Sequence, residues 1–343
     1  MEEACALACK LHPHPNPRVG ALVVAADGTV VGRGAHEARG ALHAEILALR
    51  EAGDAARGST VVVTLEPCKH QGTTPPCTEA LIAAGVSRVV VGVGDPDERV
   101  SGAGIAALRD AGIDVVMGPD PDAAEEVDPG HFHHRRTGRP LVTLKLAMTL
   151  DGQTAGADGS SQWITCEEAR RDSHVLRSRS DAVAVGAGTI LADDPRLTVR
   201  LAGFTGPQPV PVVIAGRRPL PAAATIFGRD PIVYAAAPID VPGEVVVVGD
   251  GARVDLDAVL MDLGKREVVD LLVEGGPTLA AGFEEAGLVD RMILYLAGAV
   301  AGGVGRPAFE GVFETIGALR KVEILDVRRI GSDIRVECRR ADR

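Results

Sequence analysis

Leu42-His43-Ala44-Glu45, Thr64-Leu65-Glu66-Pro67-Cys68 and Thr74-Pro75-Pro76-Cys77 decide how this chain of 343 residues is read. The imidazole of His43 and the thiolates of Cys68 and Cys77 can fill three of the four tetrahedral positions around a zinc ion. The fourth is left for a water whose pKa the metal lowers toward neutrality, and that open position separates a catalytic zinc from a structural one. Glu45 falls in the first turn of a helix expected over residues 42–51. A carboxylate there sits beside the metal without binding it and can carry a proton.

A lone histidine or cysteine is more often a packing residue than a ligand. Context argues otherwise here: Pro67-Cys68 follows an apolar strand expected over residues 59–65, and Cys77 precedes the helical run Thr78-Glu79-Ala80-Leu81-Ile82. Both sulfurs then lie near helix N-termini, where the dipole favours thiolate. The arrangement matches the H-x-E…P-C-x-x-C signature of zinc nucleobase deaminases, with eight residues in place of two between the cysteines. The loop 69–76 must therefore bulge out of the site. A zinc kept for structure alone would close its fourth position with a protein ligand and would have no use for Glu45.

The length suits two domains. The formal net charge of −11 divides about evenly, about −6 on residues 1–139 and about −5 on the rest, so neither half reads as a nucleic-acid-binding domain. Six cysteines without a secretory framework, an acidic start at Glu2-Glu3 and no apolar run of membrane length point to a reducing cytoplasm. Cys5 and Cys9, one helical turn apart, read as core residues.

A turn at Asp27-Gly28 joins strands expected over residues 21–25 and 29–35; from the zinc helix onward strands expected over 60–65, 89–93 and 114–117 alternate with helices, which implies parallel strands covered by helices. Three prolines stiffen His12-Pro13-His14-Pro15-Asn16-Pro17, so the Asn16 amide is held either for recognising a base or simply within a turn. Gly102-Ala103-Gly104-Ile105 superficially matches a dinucleotide fingerprint, but residues 95–101 separate it from its strand, and it reads as a loop and helix start. Residues 119–128 are acidic and 131–139 basic. The histidines at His131, His133 and His134 lack a partnering carboxylate pattern and read as a solvated interdomain segment.

These motifs, with His12 to Gly20 and Gly34-Ala35-His36, resemble the deaminase half of the bifunctional riboflavin biosynthesis family RibD. The second half completes the resemblance through Leu144-Lys145-Leu146, Thr149 to Gly152, Ser161-Gln162-Trp163-Ile164-Thr165, Thr189 to Pro195 and Val273-Glu274-Gly275-Gly276-Pro277. Taken alone, the turn from Glu274 to Leu279 between a strand and a helix is either a phosphate cradle or ordinary punctuation.

The resemblance implies an α/β chain: a cytidine deaminase-like three-layer α/β/α domain over residues 1–138, fused near Gly138-Arg139-Pro140 to a dihydrofolate reductase-like α/β domain over 139–343. It implies zinc-dependent deamination of 2,5-diamino-6-ribosylamino-4(3H)-pyrimidinone 5′-phosphate. NADPH then reduces the ribosyl group of 5-amino-6-(5-phosphoribosylamino)uracil to a ribitylamino product. Asn16, His36 and His70 become substrate-side candidates, as do Ser161, Arg177, Leu197, Arg200 and Glu274 in the second half. Ala147, Trp163, Thr189, Asp193, Gly216, Gly276, Pro277, Thr278, Leu279, Ala280, Ala281 and Gly282 fall where the family contacts NADPH. Lys145, Asp193 and Glu274 join Glu45 as catalytic candidates. The resemblance also implies a homodimer or larger assembly that binds neither nucleic acid nor membrane. A deaminase of cytidine, guanine or tRNA adenosine would leave the long second half, or the acidic first half, unexplained.

Two departures from the family pattern yield predictions. Thr73 stands where a cation is common, and Lys69 on the same loop is expected to compensate. Lys69→Ala should raise the deaminase KM for the phosphorylated substrate, and an unchanged KM would refute the compensation. Arg217 and Arg218, following Ala215-Gly216 at a strand end, are expected to meet the 2′-phosphate of NADPH. Replacing both with alanine should raise KM for NADPH far more than for NADH; equal effects would reject the assignment.

Overall fold

The computed structural model describes residues 1–70, 75–97, 100–311 and 314–341, in two compact units, Met1–Gly138 and Arg139–Arg343. Thr73 lies outside the described residues.

The first unit runs α1 (Glu2–Ala8), β1 (Gly20–Val24), β2 (Val30–Ala35), α2 (Ala44–Ala52), β3 (Thr60–Leu65), α3 (Cys77–Ala84), β4 (Arg88–Val93), α4 (Ala103–Asp110), β5 (Asp114–Met117), α5 (Pro121–Glu125) and α6 (Pro129–Thr137). Its sheet has the order β2-β1-β3-β4-β5. The expected parallel arrangement holds for β3, β4 and β5, whereas β1 runs antiparallel to both β2 and β3. The tight turn at Gly28, with φ +88°, explains the hairpin, because parallel neighbours need a long crossover.

Alternate residues of the strands, Ala21, Val23, Val61, Val63, Val89 and Val91, form the core with Ala44, Ala48, Leu81 and Leu108 of the helices. Close approach of α2 to β2 depends on Gly34: a Cβ there would stand 2.0 Å from the Ala44 carbonyl oxygen. The first turn of α2, which carries Glu45, is thereby pressed onto the sheet.

Residues 119–139 are not a solvated linker but the helices α5 and α6, each begun by an aspartate cap and a proline at its first position. His131 and Phe132 of α6 are buried, and His131 Nε2 lies 3.3 Å from Asp95 Oδ1. Cys5 and Cys9 are not core residues, because the face of α1 that meets the sheet is Ala4 and Ala8; Cys5 is half-buried and Cys9 exposed.

The second unit comprises β6 (Leu141–Thr149), β7 (Gln153–Ala155), α7 (Glu167–Ser178), β8 (Ala182–Gly186), α8 (Ala187–Asp193), β9 (Val210–Gly216), β10 (Ile232–Ala235) and β11 (Glu244–Val247). It continues through α9 (Leu256–Lys265), β12 (Asp270–Val273), α10 (Pro277–Glu285), β13 (Arg291–Ala297), β14 (Arg306–Pro307), β15 (Val322–Ile330) and β16 (Asp333–Arg340). Its nine-stranded sheet has the order β11-β10-β9-β8-β12-β6-β13-β16-β15. All neighbours from β11 to β13 are parallel, and β16 and β15 close the edge antiparallel. Parallel strands present their carboxyl ends along one edge, where open α/β sheets bind ligands. The turns after β8, β9 and β12, at Gly186, Gly216 and Glu274, therefore share that edge.

Candidate functional site

In the first unit the chain end of β3 and the starts of α2 and α3 converge. His43 is the N-cap of α2 and not a residue within it, as the expected range 42–51 would have placed it. Cys77 opens α3, and its backbone N–H points at Cys68 Sγ, 3.5 Å away. His43 Nδ1 lies 3.1 Å from Cys77 Sγ and 3.6 Å from Cys68 Sγ, and the three donor atoms all fall within 4.8 Å of one another. Zinc bonds of tetrahedral geometry separate nitrogen from sulfur by about 3.5 Å and sulfur from sulfur by about 3.8 Å, so the donor set fits that ion.

Electrostatics lead the same way. Contact with Cys77 and His43 draws the Cys68 thiol down to about 4 against its burial, while contact with Cys68 and burial push Cys77 up. Two touching sulfurs cannot both be thiolates without a counter-charge, and a dication supplies it. Glu45 is 3% exposed, and burial raises its carboxyl above the usual range. That direction suits a carboxyl that takes up a proton and gives it back.

The Asn16 amide nitrogen lies 3.0 Å from His36 Nε2, and His36 Nδ1 lies 3.0 Å from the Leu42 carbonyl oxygen. Burial lowers the pKa of His36, so the ring is neutral, donates to Leu42 through Nδ1 and accepts from Asn16. Its ring stands edge-on to His43, 5.1 Å between centroids. Asn16 and His36 are thus brought beside the metal ligands, while Lys69 and His70 are exposed on the stretch leaving Cys68.

In the second unit Glu274, just beyond β12, accepts from Arg177 of α7 through both oxygens, at 2.6 and 2.9 Å, and lies 3.6 Å from Lys145 Nζ of β6. Burial alone would raise Glu274, but Lys145 and Arg177 outweigh it and hold its carboxyl at about 2. The pair's contribution to stability is complete above the ordinary glutamate range and is lost as pH falls toward 2. Arg177 also donates to the Thr198 carbonyl at 3.0 Å, which commits three of its five N–H groups within the protein.

Sequence reasoning missed His174, one turn before Arg177 on α7. It accepts from the Arg200 backbone N–H at 3.3 Å, and burial with Arg177 and Arg200 holds it down at about 4, hence neutral. The signal was its i, i+3 spacing to Arg177.

The remaining candidates are dispersed. Asp193, at the end of α8, accepts from Gln162 Nε2 at 3.3 Å; among the described residues no hydrogen bond or ion pair joins it to Lys145 or Glu274. Trp163 is 68% exposed beneath the Arg170 guanidinium, 4.7 Å from its ring centroid. Ser161, Ala147 and Thr189 are half-buried. Leu197 and Ala280 are buried with their side chains in the core, so those side chains are unavailable to a ligand, and Ala281 is nearly so.

Gly276 caps α10 and its backbone faces open space, whereas Gly275 is pressed against Leu279 and Pro277 brings no N–H. Thr278 is exposed and donates to Glu310 at 2.8 Å. Gly216 turns with φ +63° into the exposed Arg217 and Arg218, and Arg218 Nη1 lies 3.6 Å from where Gly188 would carry a Cβ.

Comparison with known proteins accounts for both units. Residues 140–336 match the RibD C-terminal domain, and residues 1–93 match the cytidine and deoxycytidylate deaminase zinc-binding region. The chain is 39% identical to riboflavin biosynthesis protein RibD of Escherichia coli (strain K12), covering 94% of this chain and 92% of that protein. Among solved structures, Acinetobacter baumannii RibD superposes with a TM-score of 0.93 at 37% identity, over 99% of this chain and 97% of that one. A diaminohydroxyphosphoribosylaminopyrimidine deaminase/5-amino-6-(5-phosphoribosylamino)uracil reductase of Thermotoga maritima gives 0.89 at 33% identity, with the same coverage.

Glu45→Gln should lower ammonia release from an aminopyrimidine ribotide on the order of 10²- to 10⁴-fold while zinc content stays that of the parent. Cys77→Ala should lose the metal itself. Parental turnover in Glu45→Gln would remove the carboxyl from the chemistry.

Proposed function

The chain belongs to the RibD family of riboflavin biosynthesis, in which a zinc-dependent deaminase is joined to an NADPH-dependent reductase, and we propose how its own residues divide that work. Residues 1–138 perform the deamination and residues 139–343 the reduction. The substrates are the diaminopyrimidinone ribotide 5′-phosphate and the aminouracil ribotide that its deamination yields.

His43, Cys68 and Cys77 would hold a zinc ion, which when bound would supply the Lewis acidity that activates water near neutral pH. Glu45 takes the proton from the attacking water and delivers it to the departing amine. The neutral His36 holds Asn16 by its amide nitrogen, which turns the amide oxygen toward the ring that Asn16 orients. Lys69 and His70 face the phosphate end.

When bound to the second unit, NADPH would supply the hydride. Glu274 fixes Lys145 and Arg177 on the sheet edge by ion pairing, and Lys145 is placed to donate a proton to the opening ribose ring. The two N–H groups of Arg177 left after Glu274 and Thr198, together with the exposed Arg200, receive the 5′-phosphate. The open backbone at Gly276 takes the cofactor's pyrophosphate, and Arg217 with Arg218 its 2′-phosphate. The homo-oligomer and the cytoplasmic location expected of the family belong to the same proposal; no described helix is long and apolar enough to cross a membrane. The mass of the purified protein in solution tests the assembly.

The observation that carries the proposal is the convergence of three zinc donors with a buried carboxyl beside them. The purified chain, given zinc, NADPH and the diaminopyrimidinone ribotide, should release ammonia first and then consume NADPH absorbance in equal amount. Ammonia without NADPH loss would withdraw the second half, and NADPH loss that precedes ammonia would reverse the order.

A further inference from the structure

Glu66 lies two residues before the metal ligand Cys68 and is 4% exposed. Its carboxylate is met by backbone: Oε2 accepts from Gly102 N–H at 2.9 Å and Asp95 N–H at 3.5 Å, and Oε1 from Gly104 N–H at 2.9 Å and Ile105 N–H at 3.2 Å. These donors belong to the turn after β4 and the first turn of α4, whose free N–H groups and positive dipole end suit an anion. The Glu66 backbone N–H donates to the Val93 carbonyl at 3.0 Å, extending the β3–β4 pairing one residue past Leu65. Pro67 has a fixed φ, and α4 closes on its carbonyl so tightly that a Cβ on Gly104 would stand 1.9 Å from that oxygen.

Pinned by sheet pairing, by the amide cradle and by contact with α4, the main chain enters Cys68 along one path. We propose that Glu66 is a positioning residue of the metal site, locking Cys68 Sγ in register with His43 and Cys77. The inference rests on the zinc reading of those three residues. A glutamate that merely capped α4 would stabilise the fold and leave the metal indifferent.

The test uses the full chain loaded with zinc, and a second preparation loaded with cobalt. Glu66→Gln keeps the shape but turns an amide NH₂ against backbone donors, so two acceptor contacts become repulsive. The expected result is zinc transfer to a chelator at least about tenfold faster than the parent, the size of effect seen when groups supporting metal ligands are removed. The cobalt form should show a weakened sulfur-to-metal absorption. NADPH consumption with the aminouracil ribotide supplied directly should stay parental and report an intact second unit.

Glu66→Asp keeps the charge on an arm one methylene shorter and is read the same way, so an insoluble Glu66→Gln does not end the test. Parental zinc transfer and cobalt spectrum in a folded variant, even one that melts lower, would overturn the proposal alone. A parent chain that binds no zinc would overturn the metal reading and this inference with it.

Discussion

An ionised group leaves water only where donors or counter-charges already wait for it, and this requirement governs where the chain places its chemistry. Glu66 is received by backbone N–H groups, Glu274 by Lys145 and Arg177. Asp128 is received by His14, 3.0 Å away, and by the Arg18 backbone N–H at 2.8 Å; burial alone would raise it, yet these partners hold it at about 2. The paired sulfurs of Cys68 and Cys77 meet the imidazole of His43, and a dication bound by the three would supply their remaining counter-charge.

Secondary structure delivers those groups by the same economy of geometry in each unit. In the first, β3 ends at Leu65 and releases the chain toward Cys68, while α2 begins just after its cap His43 and α3 begins at Cys77, so two helix dipoles and a strand end meet at one point. The absence of side chains at Gly34 and Gly104 lets helices approach backbone where any other residue would hold them off. In the second, parallel strands align Gly186, Gly216 and Glu274 on one edge, and Lys145 reaches the same carboxylate from β6. The positions are fixed by sheet register, which is less yielding than a loop.

The metal site was legible because its residues lie in short runs with fixed spacing, and the strand ahead of Cys68 and helix after Cys77 followed from apolar periodicity. The turn at Asp27-Gly28 between two strands was legible as well, and β1 and β2 pair antiparallel across it. Helices α5 and α6 were missed because acidic and basic residues disguised two Asp-Pro starts. The terminal ribbon β15–β16 escaped notice for a related reason: Glu323, Asp326, Arg335, Glu337 and Arg339 pair with one another across strands or along them, so its polarity masks the pattern. The cluster of Lys145, Arg177 and Glu274 draws on residues far apart in the chain, and only the fold brings them together.

The two glycine turns show why such motifs resist reading from sequence. Gly102-Ala103-Gly104 looks like a phosphate loop because it uses the same physics, free N–H groups at a helix start closing on an anion. There the anion is the chain's own Glu66, so the cradle is occupied from within and becomes scaffold. At Gly276 the nearby carboxylate, Glu274, is instead claimed by Arg177 and Lys145, and the backbone of the turn faces open space. What divides a binding loop from a structural one is therefore not the glycines but whether the protein already supplies the negative charge. Where it does, as at Gly104, the turn fixes a neighbouring residue; at Gly276 it does not, and that turn is the proposed seat of the cofactor's pyrophosphate.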